Sequence, residues 1–224
     1  IYNGVDYEYL RNLPITRNKA LKLSGVENWK QKKILGTISR LSPEKGILIL
    51  LEAFSKAIKD IPDLRLVIVG GYPEEHKDYY LKLKSFLDKE KLTDYICILG
   101  YRQDAVKILK CFDFYISSSM SEGLPIGMLE ALASGIPVVA TDIAGNKDIL
   151  RNSIYGVLTE PGSTESLYKG IVKIMQLTQM EQNILIKNAS KRVKKKFSIE
   201  EMAAKTVLLY KQILSENTTQ GLIR

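Results

Sequence analysis

Apolar positions along the 224-residue chain come in two rhythms that take turns. Short continuous runs predict strands at Lys33–Ser39, Leu64–Gly70, Tyr95–Leu99, Phe112–Ser117, Ile136–Ala140 and Ile154–Leu158. Between them lie segments of helical spacing: 46–59, with Leu48, Leu51, Phe54 and Ile58 on one stripe, then Glu75–Lys89, Asp104–Lys110, Pro125–Ser134 and Lys147–Arg151. From Ser163 onward the pattern is helical throughout, as Ser163–Leu177, Met180–Lys195 and Ser198–Ser215. Strands that are apolar at every position, rather than at every second one, are covered on both faces. The prediction is therefore an α/β fold: a Rossmann-like parallel sheet with helices on both faces, followed by C-terminal helices over 160–224. No internal repeat or low-complexity linker interrupts it.

In such sheets ligands bind outside the carboxyl ends of the strands. The residues with chemical potential all fall there: Arg40 and Lys45, Gly70 with Gly71, Gly100-Tyr101-Arg102, Ser117 to Glu122, and Thr141-Asp142. Glu122 and Glu130 have seven residues between them. At about 100° per residue, one continuous helix would leave their carboxylates roughly 80° apart and about 12 Å displaced, so they are no acid/base pair on a helix face. Gly123 and Pro125 suggest instead that Glu122 ends a loop, that Pro125 opens a helix, and that Glu130 projects from its second turn. Gly135 then ends the helix as its C′ residue. The helix N-terminus would offer amides and dipole to a phosphate, and the carboxylates would hold sugar hydroxyls. No Gly-x-Gly-x-x-Gly follows the first strand and no Walker motif occurs, which removes dehydrogenase and P-loop readings.

Three segments in order, Thr-Ile-Ser-Arg-Leu-Ser-Pro-Glu-Lys-Gly (37–46), Ser-Glu-Gly-Leu-Pro-Ile-Gly-Met-Leu-Glu-Ala (121–131) and Gly-Ile-Pro-Val-Val-Ala-Thr-Asp (135–142), resemble the nucleotide-sugar-binding half of family 4 (group 1) glycosyltransferases of GT-B fold. The resemblance runs from about Ile1 to Tyr155 and continues weakly through the C-terminal helices. It implies that Arg40 and Lys45 hold a diphosphate, that Glu130 grips the ribose, and that Glu122 stands near the donor sugar. The backbone around Gly123–Ile126, with Gly123, Leu124, Pro125 and Ile126, belongs near sugar and phosphate and that around Gly100–Arg102 near the base, and Ser121, Gly70, Tyr101 and Arg102 join the expected nucleotide-sugar-binding residues. It further implies a retaining, hexosyltransferase-type enzyme that uses UDP-sugar first and GDP-sugar second, without a metal or other cofactor, in polysaccharide or glycolipid synthesis. Three departures stand out: Ser39 replaces a frequent Gly and adds a Cβ beside the phosphate loop, Asp148 replaces a frequent Glu, and Tyr2 replaces the Pro of an Ile-Pro-Asn-Gly-Val-Asp segment. That segment suggests that residues 1–30 lead in from an acceptor-binding half, so that 1–224 is one donor-binding domain, inactive alone. A non-catalytic nucleotide-sugar module and a GT-B nucleotide-sugar epimerase remain as alternatives.

Composition changes this picture little. Hydrophobic content of 45% and charged content of 26% are ordinary for a globular domain, and no apolar run approaches the roughly 20 residues that span a bilayer. Cys97 and Cys111 sit in apolar strand-like runs and His76 is the one histidine, in a polar stretch, so neither a zinc site nor a disulfide framework is expected. Lone thiols fit a cytoplasmic setting. The net charge of +8 concentrates at Lys191, Arg192, Lys194, Lys195 and Lys196. This cluster reads as a solvated helix end whose cations complement the dipole, or as peripheral contact with an anionic membrane at its inner face. Nucleic acid fits least well, because no aromatic or base-reading groups interleave the cations.

Overall fold

The computed structural model describes the backbone of residues 1–221 and the side chains through Ser215; 222–224, the end of the expected C-terminal helical segment, lie outside the described residues. In chain order the elements are α1 (Tyr7–Arg11), α2 (Arg17–Leu23), β1 (Lys33–Ile38), α3 (Ile47–Asp60), β2 (Leu64–Val69), α4 (Lys77–Lys89), β3 (Ile96–Ile98), α5 (Ala105–Ile108), β4 (Phe114–Ser117), α6 (Ile126–Ala133), β5 (Val138–Thr141), α7 (Ala144–Leu150), β6 (Val157–Thr159), α8 (Thr164–Met175), α9 (Gln179–Lys196) and α10 (Ile199–Gly221).

All six strands pair in parallel in the order β3-β2-β1-β4-β5-β6. Successive residues send their side chains to opposite faces, and each face is covered. Ile34, Val67, Tyr115 and Val138 join the core beneath α2, α6 and α9, whereas Leu35, Leu66, Ile116 and Val139 join the core beneath α3, α4 and α8. This double burial is why the strands read as unbroken apolar runs.

On the second face, the stripe of α3 is centred on Ile47, Leu50, Leu51 and Phe54, all fully buried; Leu48 and Ile58 flank it and are half-buried, a rotation from the expected stripe. Thr164–Glu52 at 2.7 Å and Lys56–Glu165 at 2.9 Å tie α3 to α8 at the rim. Other differences are local. Pro125 is the N-cap of α6 rather than its first helical residue. Its far end is as expected: Gly135 at φ 81° follows Ser134, with bonds Ile136 N to Ala131 O and Gly135 N to Leu132 O. Helix α7 begins three residues before the expected Lys147 and stops before Arg151, which is left-handed at φ 47°. Strand β6 starts at Val157, leaving Ile154 exposed. Cys111 lies in a one-turn 3-10 helix, Leu109–Cys111, not in a strand.

The first thirty residues hold two helices that the periodicity did not mark. Asp6 accepts from the Tyr9 amide and Thr16 from the Lys19 amide, which starts α1 and α2, and Leu10, Ala20, Leu21 and Trp29 are buried. Arg17 fastens this segment to the sheet, donating to both Asp113 oxygens and to the Cys111 and Lys32 carbonyls. Val5 pairs with the turn between α9 and α10, and the two departures Tyr2 and Asp148 meet in a 3.2 Å hydrogen bond.

Truncating Phe54 to Ala should cost about 3–5 kcal/mol, since no neighbour on the α3–sheet face can relax fully into the void. Urea unfolding checks it; a loss below about 1 kcal/mol would mean that this face is not packed as described.

Candidate functional site

The strand order turns back between β1 and β4, the place in such a sheet where a crevice forms outside the carboxyl ends of the strands. A cleft of about 200 Å³ opens there, lined by Thr37, Ser39, Arg40, Lys45, Tyr115, Ser117 to Ser119, Glu122 and Leu124 to Gly127.

Two loops build it. The loop after β1 ends in a one-turn 3-10 helix, Pro43–Lys45, and Gly46 at φ 63°. β4 ends in Ser117 and the loop after it starts with Ser118 and Ser119, all three buried. Ser118 Oγ donates to the Lys45 carbonyl at 2.9 Å, and the Met120 amide donates to the Glu44 carbonyl at 2.7 Å. A Cβ on Gly46 would come within 2.2 Å of the Ser118 carbonyl oxygen, so only glycine permits this approach. The contact sets Lys45 against Glu122: Nζ and Oε1 are 2.7 Å apart, with side chains 14% and 16% exposed. Ser119 Oγ donates to the same Oε1 at 2.8 Å. Behind it Thr141 Oγ1 donates to the Ser119 carbonyl, and the buried Asn146 amide donates to Thr141. The first turn of α7 thus supports the Glu122 loop, and Gly145 lies so close that a Cβ would stand 2.4 Å from the Gly123 carbonyl oxygen.

Arg40 lines the cleft but is 66% exposed, 3.6 Å from Glu44. Glu44 is held below its usual carboxylate range, first by the Ser42 hydroxyl. Ile126 and Gly127 line the cleft in the first turn of α6, where amides have no intrahelical partners, and Pro125 supplies no side-chain cap to them. They add partial positive charge to that of the two basic side chains.

Glu130 does not line this cleft. It sits one turn further along α6, half-buried, and its carboxylate makes no hydrogen bond or ion pair among the described residues. Burial pushes its pKa up to about 6. Burial first, and then the charges of Glu130 and Glu122, hold the Tyr115 phenol above the usual range, and its hydroxyl donates to the Ile38 carbonyl at 3.2 Å.

Of the other expected residues, Gly70 is outside the cleft lining and packs against the backbone of Ser39, which is part of it; its amide donates to the Gly100 carbonyl, and the adjacent Gly71 carbonyl accepts from Leu41. Tyr101, 76% exposed beside Gly71, is outside the lining too, and Arg102 turns to Asp104 in two 2.8 Å bonds. Ser121 and Gly123 are exposed on the Glu122 loop outside the cleft lining. Sequence reasoning passed over Thr37, Tyr115 and Asn146. The serine run at the end of an apolar strand was the one available signal for the support of Glu122.

Comparison with known proteins decides the family. The model of "Glycosyl transferases group 1" matches residues 22–192. The chain belongs to the group 1 glycosyltransferases. Its relatives include the UDP-Gal:alpha-D-GlcNAc-diphosphoundecaprenol alpha-1,3-galactosyltransferase of Escherichia coli, 29% identical over 94% of this chain and 53% of that protein. A glycosyltransferase from Rickettsia africae superposes with a TM-score of 0.86 at 27% identity, covering 95% of this chain and 56% of the other. Anabaena Alr3699/HepE, solved in complex with UDP and glucose, does so with 0.82 at 26% identity, over 93% and 55%. The chain spans about half the length of these proteins.

The raised pKa of Glu130 has a stability consequence. Its unfolded value is 4.5 and its folded value about 6, so the folded state favours the neutral acid; the associated stability is complete below pH 4.5 and is lost as pH rises through 6. Glu130→Gln should therefore match the parent near pH 4 and exceed it above pH 7 by about 1 kcal/mol, allowing for partial exposure. Thermal melts across this range check it; an equal difference at all pH values would contradict it.

Proposed function

We propose that this chain is the donor-binding half of a retaining glycosyltransferase that moves a hexose from UDP-sugar, or in second place GDP-sugar, to an acceptor hydroxyl in polysaccharide or glycolipid synthesis. One observation carries the reading: Arg40, Lys45 and the uncapped N-terminus of α6 converge, with Glu122, on one cleft at the point where the strand order reverses. Relatives that use or bind UDP and its sugars support the choice of donor.

In this reading the diphosphate lies across Lys45 and the α6 amides, with Arg40 swinging in from the rim. As the bond between the anomeric carbon and the β-phosphate oxygen breaks, the departing nucleoside diphosphate takes the electron pair, and preorganised positive charge at that spot lowers the barrier. These groups supply the neutralisation that a divalent cation would otherwise bring, so binding requires no metal. Glu130 accepts from the ribose hydroxyls, Tyr101 and the Gly100–Arg102 backbone face the base, and Glu122 meets the sugar. The acceptor, a glycan or glycolipid, is held by a further half of the protein, without which residues 1–224 transfer no sugar. The enzyme works in the cytoplasm, in peripheral contact with an anionic membrane.

The Lys45–Glu122 pair refines these roles. Glu122 competes with the diphosphate for Lys45, and the sugar-bearing donor compensates by giving Glu122 hydroxyls to bind, whereas bare UDP does not. Glu122→Gln should thus tighten UDP by roughly fivefold, the equivalent of about 1 kcal/mol for one charge-assisted bond released, and erase the preference for UDP-sugar over UDP. Calorimetry checks this; unchanged or weaker UDP binding by the variant would remove the competition.

Titration of the parent chain with UDP, GDP, ADP and their sugars in excess EDTA tests the reading as a whole. Binding of UDP and UDP-sugar should persist without metal and weaken as salt is raised. Strict dependence on Mg²⁺ or Mn²⁺, or no nucleotide binding, would overturn it.

A further inference from the structure

A second charged cavity lies away from the cleft, where the segment after α7 meets α9. Arg151, Lys191, Arg192, Lys195 and Lys196 line a space of about 480 Å³ together with Ile154, Tyr155 and Asn188, and no acidic side chain is among its walls. One of the five cations is accounted for by the fold. Arg192 donates to the Ile149 carbonyl at 2.9 Å and to the Asp148 carbonyl, closing the C-terminal end of α7, and its guanidinium lies over the Tyr155 and Phe197 rings. Arg151, Lys191, Lys195 and Lys196 make no ion pair or side-chain hydrogen bond among the described residues. Their neighbour Lys194, by contrast, is paired with Glu8 at 2.6 Å. Four uncompensated positive charges around one cavity repel one another unless an anion joins them.

Two further observations point to the kind of anion. Arg151, Asn152 and Ser153 are all left-handed, at φ 47°, 53° and 69°, a costly sequence for three residues with side chains and one that concentrates at functional positions. This turn brings Arg151 to the cavity and leaves the following Ile154 57% exposed on its wall. On α9, Met180, Ile184, Asn188, Lys191 and Lys195 follow at steps of four, four, three and four, and so share one helix face. Met180 is 72% and Ile184 50% exposed. A soluble anion would have use for the lysines alone. A surface that presents cations and bare aliphatic side chains side by side suits an interface of anionic headgroups over hydrocarbon.

We infer that this cavity and the adjoining face of α9 seat the chain on an anionic bilayer, with Arg151, Lys191, Lys195 and Lys196 on lipid phosphates and Ile154 and Ile184 entering the headgroup layer. The inference gives a place to the membrane contact in the proposed function, and its test reads no nucleotide, so either can fail while the other stands.

Sedimentation with vesicles tests it. The chain should bind phosphatidylcholine vesicles in which about one lipid in three is phosphatidylglycerol, and not vesicles of phosphatidylcholine alone. Lys191→Glu with Lys195→Glu should reduce binding at least tenfold, given that each basic residue at the surface contributes about a factor of five. The same charge change made by Lys82→Glu with Lys84→Glu, on exposed residues of α4 across the sheet, should leave binding within twofold. Ile154→Ser with Ile184→Ser, which alters no charge, should weaken binding several-fold. All variants are surface changes, and unaltered melting temperatures confirm their folding. Equal loss from both charge-reversal pairs would reduce the effect to diffuse attraction by net charge and overturn the site. So would failure to bind anionic vesicles. Full competition by millimolar inorganic phosphate, with no effect of the isoleucine changes, would make the cavity a soluble-phosphate site and overturn the membrane assignment.

Discussion

The docking of the β1 loop onto the β4 loop is the constraint on which the cleft depends. Parallel strands deliver two loops to the same edge, but nothing in a parallel sheet requires those loops to touch. Here they are stitched by main-chain carbonyls: Lys45 receives Ser118, and Glu44 receives Met120. Gly46 allows the stitch, because any side chain there would meet the Ser118 carbonyl. The Lys45–Glu122 pair is its consequence, and buried serine and threonine hydroxyls carry the support back to Asn146 at the start of α7. The position of the first glutamate thus comes from three loops at once.

This arrangement gives the two glutamates different physical states. Glu122 is paired with a cation, accepts from a hydroxyl, and lines the cleft. Glu130 is half-buried with no partner among the described residues, and burial raises its pKa. A carboxylate left in that state gains from any pair of hydroxyls that reaches it, since ligand hydrogen bonds replace solvent it has already lost. The α6 N-terminus lies between them, so one eight-residue helix relates a charge-compensated carboxylate, a set of free amides and an uncompensated carboxylate. That sequence of environments suits a ligand with a sugar, a diphosphate and a ribose in line.

Much of this was legible in the chain. Apolar runs covered on both faces are an unambiguous mark of a parallel sheet, and the reversal of strand order then places any ligand at the ends of β1 and β4. The spacing of Glu122, Pro125 and Glu130 located the helix between the carboxylates to within one residue. What was hidden was set by tertiary contacts. Helices α1 and α2 have five and seven residues, too short to show a period, and hold their shape by caps and by Arg17 on Asp113. The rotation of the α3 stripe reflects which side chains the sheet leaves room for. The Lys45–Glu122 contact joins residues 77 apart, and no local pattern carries it. Arg102 illustrates the converse: a basic residue in a plausible position whose charge is taken by Asp104, two residues away. Arg192 stands in a basic run that reads as solvated, yet closes α7 through two carbonyls.

The central claim is that the diphosphate of a nucleotide sugar lies between the 39–46 loop and the first turn of α6. Amide chemical shifts followed during titration with UDP-glucose test it most directly. The account predicts that the largest changes fall on Ile126, Gly127 and the amides of 40–46, that Gly100 to Arg102 follow, and that α4 and α8 stay silent. Shifts centred elsewhere, with Ile126 and Gly127 unmoved at saturation, would contradict it.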